Sequence, residues 1–440
     1  MTNDLTTGSV RGKLLGLFFP MLLTNLLKQV YSIADTAIVG KGLGDAALGS
    51  VGDLASMSLF IIGFSMGMTG GFGVIVAQCF GSGDSASVRR AAAMSIKLSA
   101  ILTVILTAAG CLLLRPVVVM MKTDPSLISD SLTYGYIIFG GLAATVAYDL
   151  FSGMLRSVGD SRTPFTAIVI SSAVNIALDI VLIFIVHTGV EGAAAATVVS
   201  QALSAVICWV RMRDIPELRI GKDDFTRDRS MVLLLLKNGI PMACMNSVTA
   251  VGCMVVQGYV NDCGAAYTSA YSVCSKYLNL AMLPSLTAGF ALMSFVGQNH
   301  GAGQMQRIRR GVRVSVCIAL ISYLCIGAAM VFLPDLLAGA MLSGSDTIAL
   351  TVIYLRICGA GLILLNLLFV FRNAMQGMGY PTVPMLSGIA EMLFRIPVIA
   401  LMLPRIGFSA AGYAEIAAWV GALALVAGAY MLHTKTGHSE

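Results

Sequence analysis

Five carboxylic acids, Asp35, Asp149, Asp179, Glu391 and Glu415, fall inside stretches of sequence otherwise built from apolar residues. A carboxylate at the centre of a bilayer costs about 3 kcal/mol or more, so an acid kept there is expected to do work. Two of the five sit among other polar groups. At about 100° per residue, Thr24, Asn25, Lys28, Gln29, Ser32, Asp35 and Thr36 occupy one arc of a helix whose opposite face is apolar. Such a stripe faces protein or water. In SSAVNIALDIVLIF, Asn175 and Asp179 lie four residues apart on one face with Ser171. Carboxyl groups in such places are candidates for binding and releasing H⁺ or Na⁺. The alternatives are structural: an ion pair of Asp35 with Lys28, seven residues earlier on nearly the same face, and a hydrogen bond from Asn175 or a helix neighbour to Asp179. Tyr31, Tyr148 and Asp149 join Asn25, Lys28, Gln29 and Ser32 as polar groups expected to line a cavity.

The remaining acids read differently. EMLFR places Glu391 and Arg395 at i and i+4 with the acid first, the favourable order, which predicts a structural ion pair within one helix. Glu415 falls near the start of the last apolar span, where a negative charge suits the helix dipole.

These residues need an apolar framework, and the composition supplies one. Of 440 residues, 57% are hydrophobic and only 11% charged, too few charges to cover a soluble protein of this size. Apolar spans long enough to cross a hydrocarbon core recur twelve times, the first at 14–39 and the last at 409–432. The expected fold is an all-α integral membrane protein. The first span lacks a small-residue cleavage site and is expected to stay in the mature chain.

Charge distribution sets the orientation. With the N-terminus in the cytoplasm, cytoplasmic segments hold about 20 of the 28 lysines and arginines, whereas the opposite loops hold Lys41, Arg115, Lys122 and Arg405. This asymmetry predicts both termini on the cytoplasmic side of the plasma (inner) membrane. It also accounts for the net charge of +6 without a nucleic-acid partner. The ten cysteines lie almost all in or beside apolar spans with no C-x-x-C pair, and His187, His300, His433 and His438 are scattered. No cofactor or resident metal is expected, only H⁺ or Na⁺ at Asp35, Asn175 and Asp179. The chain has no G-x-x-x-x-G-K-[ST] phosphate loop, so an ion gradient rather than ATP is the expected driver.

The two halves repeat. A shift of 220 places Gln78, Gly81, Gly83, Arg89 and Arg90 on Gln298, Gly301, Gly303, Arg309 and Arg310, and Phe151, Gly159 and Pro164 on Phe371, Gly379 and Pro384. Pro20 falls on Pro241 with one residue of slippage. Six spans per half make these parallel repeats, two six-helix bundles related by a pseudo-twofold axis along the membrane normal. The expected organisation is an N-lobe at 1–210, a solvated linker at 211–230 and a C-lobe at 231–440. The 46 glycines, as in GFSMGMTGGFG, serve either close helix packing or hinges.

The run PMLLTNLLKQVYSIADTAIVG from Pro20 to Gly40 resembles the first helix of MATE (multidrug and toxic compound extrusion) transporters. The loops FGSGD, GMLRSVGDSRTP, QNHGAGQ and QGMGYPTVP resemble family loops in order and spacing, and the resemblance covers essentially the whole chain. It implies a monomeric secondary antiporter that exports amphipathic, often cationic drugs or metabolites across the lipid bilayer in exchange for H⁺ or Na⁺, by alternating access. It further implies that Asp35, Asn175 and Asp179 form the coupling site and that the first helix bends at Pro20. The seventh and tenth spans lack acids, which matches the branch with an N-lobe site. Asp149 stands where the family pattern has asparagine, and either adds a proton or cation ligand or hydrogen-bonds across helices. Two rivals are weighed. A flippase for lipid-linked oligosaccharides would need a strongly cationic cavity. An intramembrane aspartyl protease would pair Asp149 with Asp160 of SVGD, which falls in a loop only eleven residues on.

Overall fold

A computed structural model describes residues 4–120, 127–226 and 228–436, so that Lys122 and His438 lie outside the described residues. In a hydrocarbon environment every backbone N–H and C=O must be satisfied within the segment, and helices do this. Among the described residues no strand occurs. Sixteen α-helices follow one another: α1 (Val10–Leu43), α2 (Asp45–Asp53), α3 (Ala55–Gly81), α4 (Ser85–Met120), α5 (Ile128–Gly140), α6 (Leu142–Ser157), α7 (Arg162–Asp179), α8 (Val190–Arg213), α9 (Arg229–Asn261), α10 (Ala265–Gly301), α11 (Met305–Ser322), α12 (Ala328–Phe332), α13 (Pro334–Gly339), α14 (Ser345–Gly377), α15 (Thr382–Ile406) and α16 (Ser409–Thr436). Among the described residues eleven helices are long and apolar enough to cross a membrane, and α5 with α6, bent by 42° at Gly141, brings the number to twelve when the pair is taken as one span. The expected all-α membrane architecture is what the chain adopts.

The chain divides into two compact units, one mainly Phe19–Ala243 and the other Thr6–Phe18 with Cys244–Glu440. This differs from the lobes expected at 1–210 and 231–440. The division falls inside α1 beside Pro20 and inside α9 beside Pro241, the two prolines that the repeat superposes. Proline removes one helical hydrogen bond and crowds the carbonyl a turn earlier, so these are the weakest points of two helices of 34 and 33 residues. The Pro20 carbonyl accepts a hydrogen bond from the Thr24 hydroxyl at 2.7 Å. The segment Arg211–Ser230 lies wholly within the first unit. Instead of a freely solvated connector it forms two short 3₁₀ turns, with Ile215 and Leu218 buried in that unit's core.

The repeat is visible in the turns. Gly83 and Gly303 have φ of 78° and 69°, and Gly159 and Gly379 have 83° and 82°, each closing a helix with a left-handed residue that side chains disfavour. Aspartates cap the starts of α4, α7 and α9. Asp84 Oδ1 accepts from the Ser87 N–H at 3.0 Å, Asp160 Oδ1 from Thr163 at 3.0 Å and Asp228 Oδ1 from Met231 at 3.0 Å. The Ser87 hydroxyl and N–H hold the Asp84 carboxyl below the usual carboxylate range, as Ser230 and Met231 do for Asp228. Asp160, the residue that suggested protease chemistry, is thus a helix cap, held in addition by Arg211 at 3.6 Å.

The core of the first unit gathers Phe72, Met94, Tyr148 and Leu155 from α3, α4 and α6. In the second unit α14 packs along α10 and α16, with Phe295, Tyr354 and Trp419 fully buried. Glycine in GFSMGMTGGFG serves packing at two positions. A Cβ on Gly67 would lie 2.6 Å from Ala243 Cα, and one on Gly71 2.6 Å from Gly239 Cα, so α3 and the start of α9 touch backbone to backbone. Gly71→Val should therefore destabilise the first unit by about 1–3 kcal/mol, read as a lowered thermal midpoint in detergent. The same change at Gly16, which has nothing within 4 Å of its added Cβ, should be far milder.

Candidate functional site

Asp35 and Asp179 meet. α1 brings Asp35 from its polar stripe, and α7 brings Asn175 and Asp179 one turn apart at its end. The two carboxyl groups face each other closely enough to share a hydrogen bond, which requires a proton on one of them. With both ionised, Asp35 Oδ1, both Asp179 oxygens and the Asn175 Oδ1 lack a donor, and the Asn175 Nδ2 lacks an acceptor. Asn175 and Asp179 are fully buried. Buried polar groups are nearly always paired, so five orphaned atoms in one cluster mark a place that expects a guest.

The cluster has further members. The Tyr31 hydroxyl, one turn before Asp35, approaches Thr197 of α8, and Tyr134 of α5 is within electrostatic reach of Tyr31, Asp35 and Asp179. Four elements therefore converge, and Tyr134 and Thr197 escaped sequence reasoning. Their only signal was a polar residue isolated in a run such as AAAAT. Directly after Asp179 the backbone opens into a π-helical turn, Ile180–Ile185, a widening that recurs at functional sites. Val39, Ala47, Ile183, Val190 and Ala193 form a buried apolar cluster against which Tyr134 packs.

The donor set decides what fits. Two carboxyls and an amide oxygen are hard oxygen ligands suited to H⁺ or Na⁺. Among the described residues no group of three His, Cys, Asp or Glu exists that would hold a transition metal.

A second polar cluster lies in the same unit. Lys28 does not bridge to Asp35. Its ammonium sits 5.0 Å from the centroid of the Tyr148 ring and within electrostatic reach of Asp149 and Arg156. The seven-residue spacing permitted Asp35, but the aromatic face and carboxylate of α6 offer a partner on a facing helix. Tyr148 and Asp149 thus belong here, whereas Gln29 and Ser32 are exposed and Asn25 is half-buried.

In the second unit the expected Glu391–Arg395 pair is not formed. Glu391 instead accepts from Arg372 of α14 at 2.5 Å, and Arg395 donates to Glu415 of α16 at 2.9 Å. All four residues are 5% exposed or less. Side chains one turn apart on a helix gain only about 0.2–0.5 kcal/mol from pairing, far less than two fully buried charges gain by reaching partners across helices. Arg372 also donates to Ser387 Oγ at 2.9 Å, and Thr249 of α9 lies 3.5 Å from Glu391. Glu415 therefore has a partner beyond the helix dipole.

Known proteins share this pattern. A family profile described as MatE matches residues 20–181 and 241–401, once in each half. The probable multidrug resistance protein YoeA of Bacillus subtilis is 27% identical over 305 residues, covering 68% of this chain and 66% of that protein. The probable multidrug resistance protein NorM of Thermotoga maritima is 26% identical, covering 94% and 89%. Among solved structures, a MATE in complex with MaL6 superposes with a TM-score of 0.92 at 19% identity, covering 99% of both chains. The profile spans well over half of the residues and takes in Asp35, Asn175 and Asp179. The chain belongs to the MatE family of membrane transporters.

Proposed function

We propose that the chain is a secondary active antiporter that exports amphipathic, often cationic drugs or metabolites by alternating access. It works as a monomer in the plasma membrane with both termini cytoplasmic, and the ion is exchanged at Asp35, Asn175 and Asp179. The observation that carries this reading is the cluster of five buried, unpartnered polar atoms around two facing carboxyl groups. Two facing carboxylates repel, and a single proton between them turns the repulsion into a hydrogen bond. H⁺ is accordingly the preferred coupling ion. Na⁺ is the second reading, supported by the oxygens of Asp35, Asp179 and Asn175. Pro20 and Pro241 are the positions at which α1 and α9 would bend. The Lys28–Tyr148–Asp149 cluster would receive the substrate.

Drug-driven flux in proteoliposomes under separately imposed pH and sodium gradients tests this. Export that follows the pH gradient supports H⁺, export that follows sodium supports Na⁺, and flux indifferent to both removes the antiporter reading. A finer outcome is expected at Asp149. Asp149→Asn should weaken binding of a monocationic substrate about tenfold, corresponding to one lost charge contact of about 1.4 kcal/mol, and leave an uncharged analogue unaffected. Equilibrium binding of both compounds to the purified variant measures this.

A further inference from the structure

At the end of the first unit where α4 begins and α8 ends, Arg89, Arg213 and Arg219 line one cavity of about 680 Å³ with Val210 and Pro216 on its wall. Arg89 is 3.7 Å from Asp224. Among the described residues, no carboxylate comes within 4 Å of Arg213 or Arg219. The cavity's own acid, Asp214, is drawn towards Arg211 at 3.8 Å. Arginines at the end of a membrane helix usually need no explanation beyond loop charge. Here they converge on one concavity, and a second lies beside it.

That neighbour is a groove of about 380 Å³ between the start of α7 and the last turns of α8, formed by Thr163, Val206, Ile207 and Val210 and sharing Val210 and Asp214 with the arginine cavity. Its walls face outward. Val199, Val206 and Val210 are 52%, 56% and 55% exposed, and their spacing of seven and four residues puts them on one stripe of α8. In a helix that crosses a membrane, such a stripe lies against acyl chains. An apolar track therefore runs along α8 and ends at three guanidinium groups.

We propose that this surface is a binding site for one anionic phospholipid. Its phosphodiester would be held by Arg213, Arg219 and Arg89, and one acyl chain would lie along the valine stripe. Guanidinium groups match the oxygens of a phosphodiester and are weakly hydrated, so they bind it well at an interface. A headgroup that also carries an ammonium would present that charge to the same arginines. The site should therefore prefer a headgroup with net negative charge, as basic pockets at this depth do. The lipid would clamp α8 to the start of α4 through the loop that carries Pro216 and Arg219.

The test uses the full chain in mild detergent, with phosphatidylglycerol and phosphatidylcholine of identical acyl chains, read by native mass spectrometry and thermal midpoint. Phosphatidylglycerol should form a single retained adduct at about tenfold lower concentration than phosphatidylcholine and should raise the midpoint. The double variant Arg213→Gln with Arg219→Gln should lose that preference and that rise. Both side chains are exposed, so its midpoint in phosphatidylcholine should equal that of the unmodified chain. Millimolar glycerol 3-phosphate, the headgroup without its chains, should fail to displace the lipid. Equal retention of the two lipids, a preference surviving in the double variant, or displacement by glycerol 3-phosphate would each overturn the proposal, the last by showing a soluble-anion site.

Discussion

Replacing Glu415 by glutamine is expected to destabilise the second unit by about 3–5 kcal/mol, the usual result of removing one partner of a fully buried ion pair. The Arg395–Glu415 contact is 2.9 Å long, with both side chains at most 5% exposed, so the glutamine would leave a guanidinium in the interior without a counter-charge. The double change Arg395→Met with Glu415→Leu should behave differently, because deleting both charges removes the desolvation cost as well as the attraction. It should be close to neutral, or stabilising by about 1–4 kcal/mol. Detergent unfolding curves of the single and double variants measure both values. If the single variant unfolded like the unmodified chain, the buried pair would not hold α15 to α16.

The second large effect is on transport. Asp35→Asn and Asp179→Asn should each insert and fold normally yet reduce gradient-driven export to background. Asparagine keeps the shape of aspartate and can donate to the remaining carboxylate, so the repulsion between the two acids disappears along with the proton that relieved it. Folding is therefore preserved and coupling is not. Equilibrium substrate binding should survive in both variants, which separates loss of coupling from loss of the site. Wild-type export by both would remove these carboxyls from the mechanism.

The sequence was most informative where physics leaves few alternatives. Twelve apolar spans could hardly be anything but membrane helices, and only the bend at Gly141 complicates the count. Asp35 and Asp179 were conspicuous because a charge in oil demands a reason. The orientation of Lys28 was not legible, because position on a helix face gives a direction and not a partner. Tyr148 and Asp149 reach it from α6. Glu391 and Arg395 show the same limit. Their i, i+4 spacing is a genuine local preference, yet Arg372, which the sequence places near a span end, lies buried and takes the acid. Tyr134 and Thr197 were invisible for a related reason: a hydroxyl on an apolar helix is ordinary until three other helices bring polar groups to it.

The central claim is that Asp35 and Asp179 hold one exchangeable proton that substrate displaces. Its most direct measurement is proton release from the purified protein, followed with a pH indicator in weakly buffered detergent as a cationic substrate is added. The unmodified chain should release about one proton per bound substrate at a pH where the pair holds one proton, since the two carboxyls titrate as one unit. The double variant Asp35→Asn with Asp179→Asn should bind substrate and release none. Undiminished release from the double variant would contradict the account.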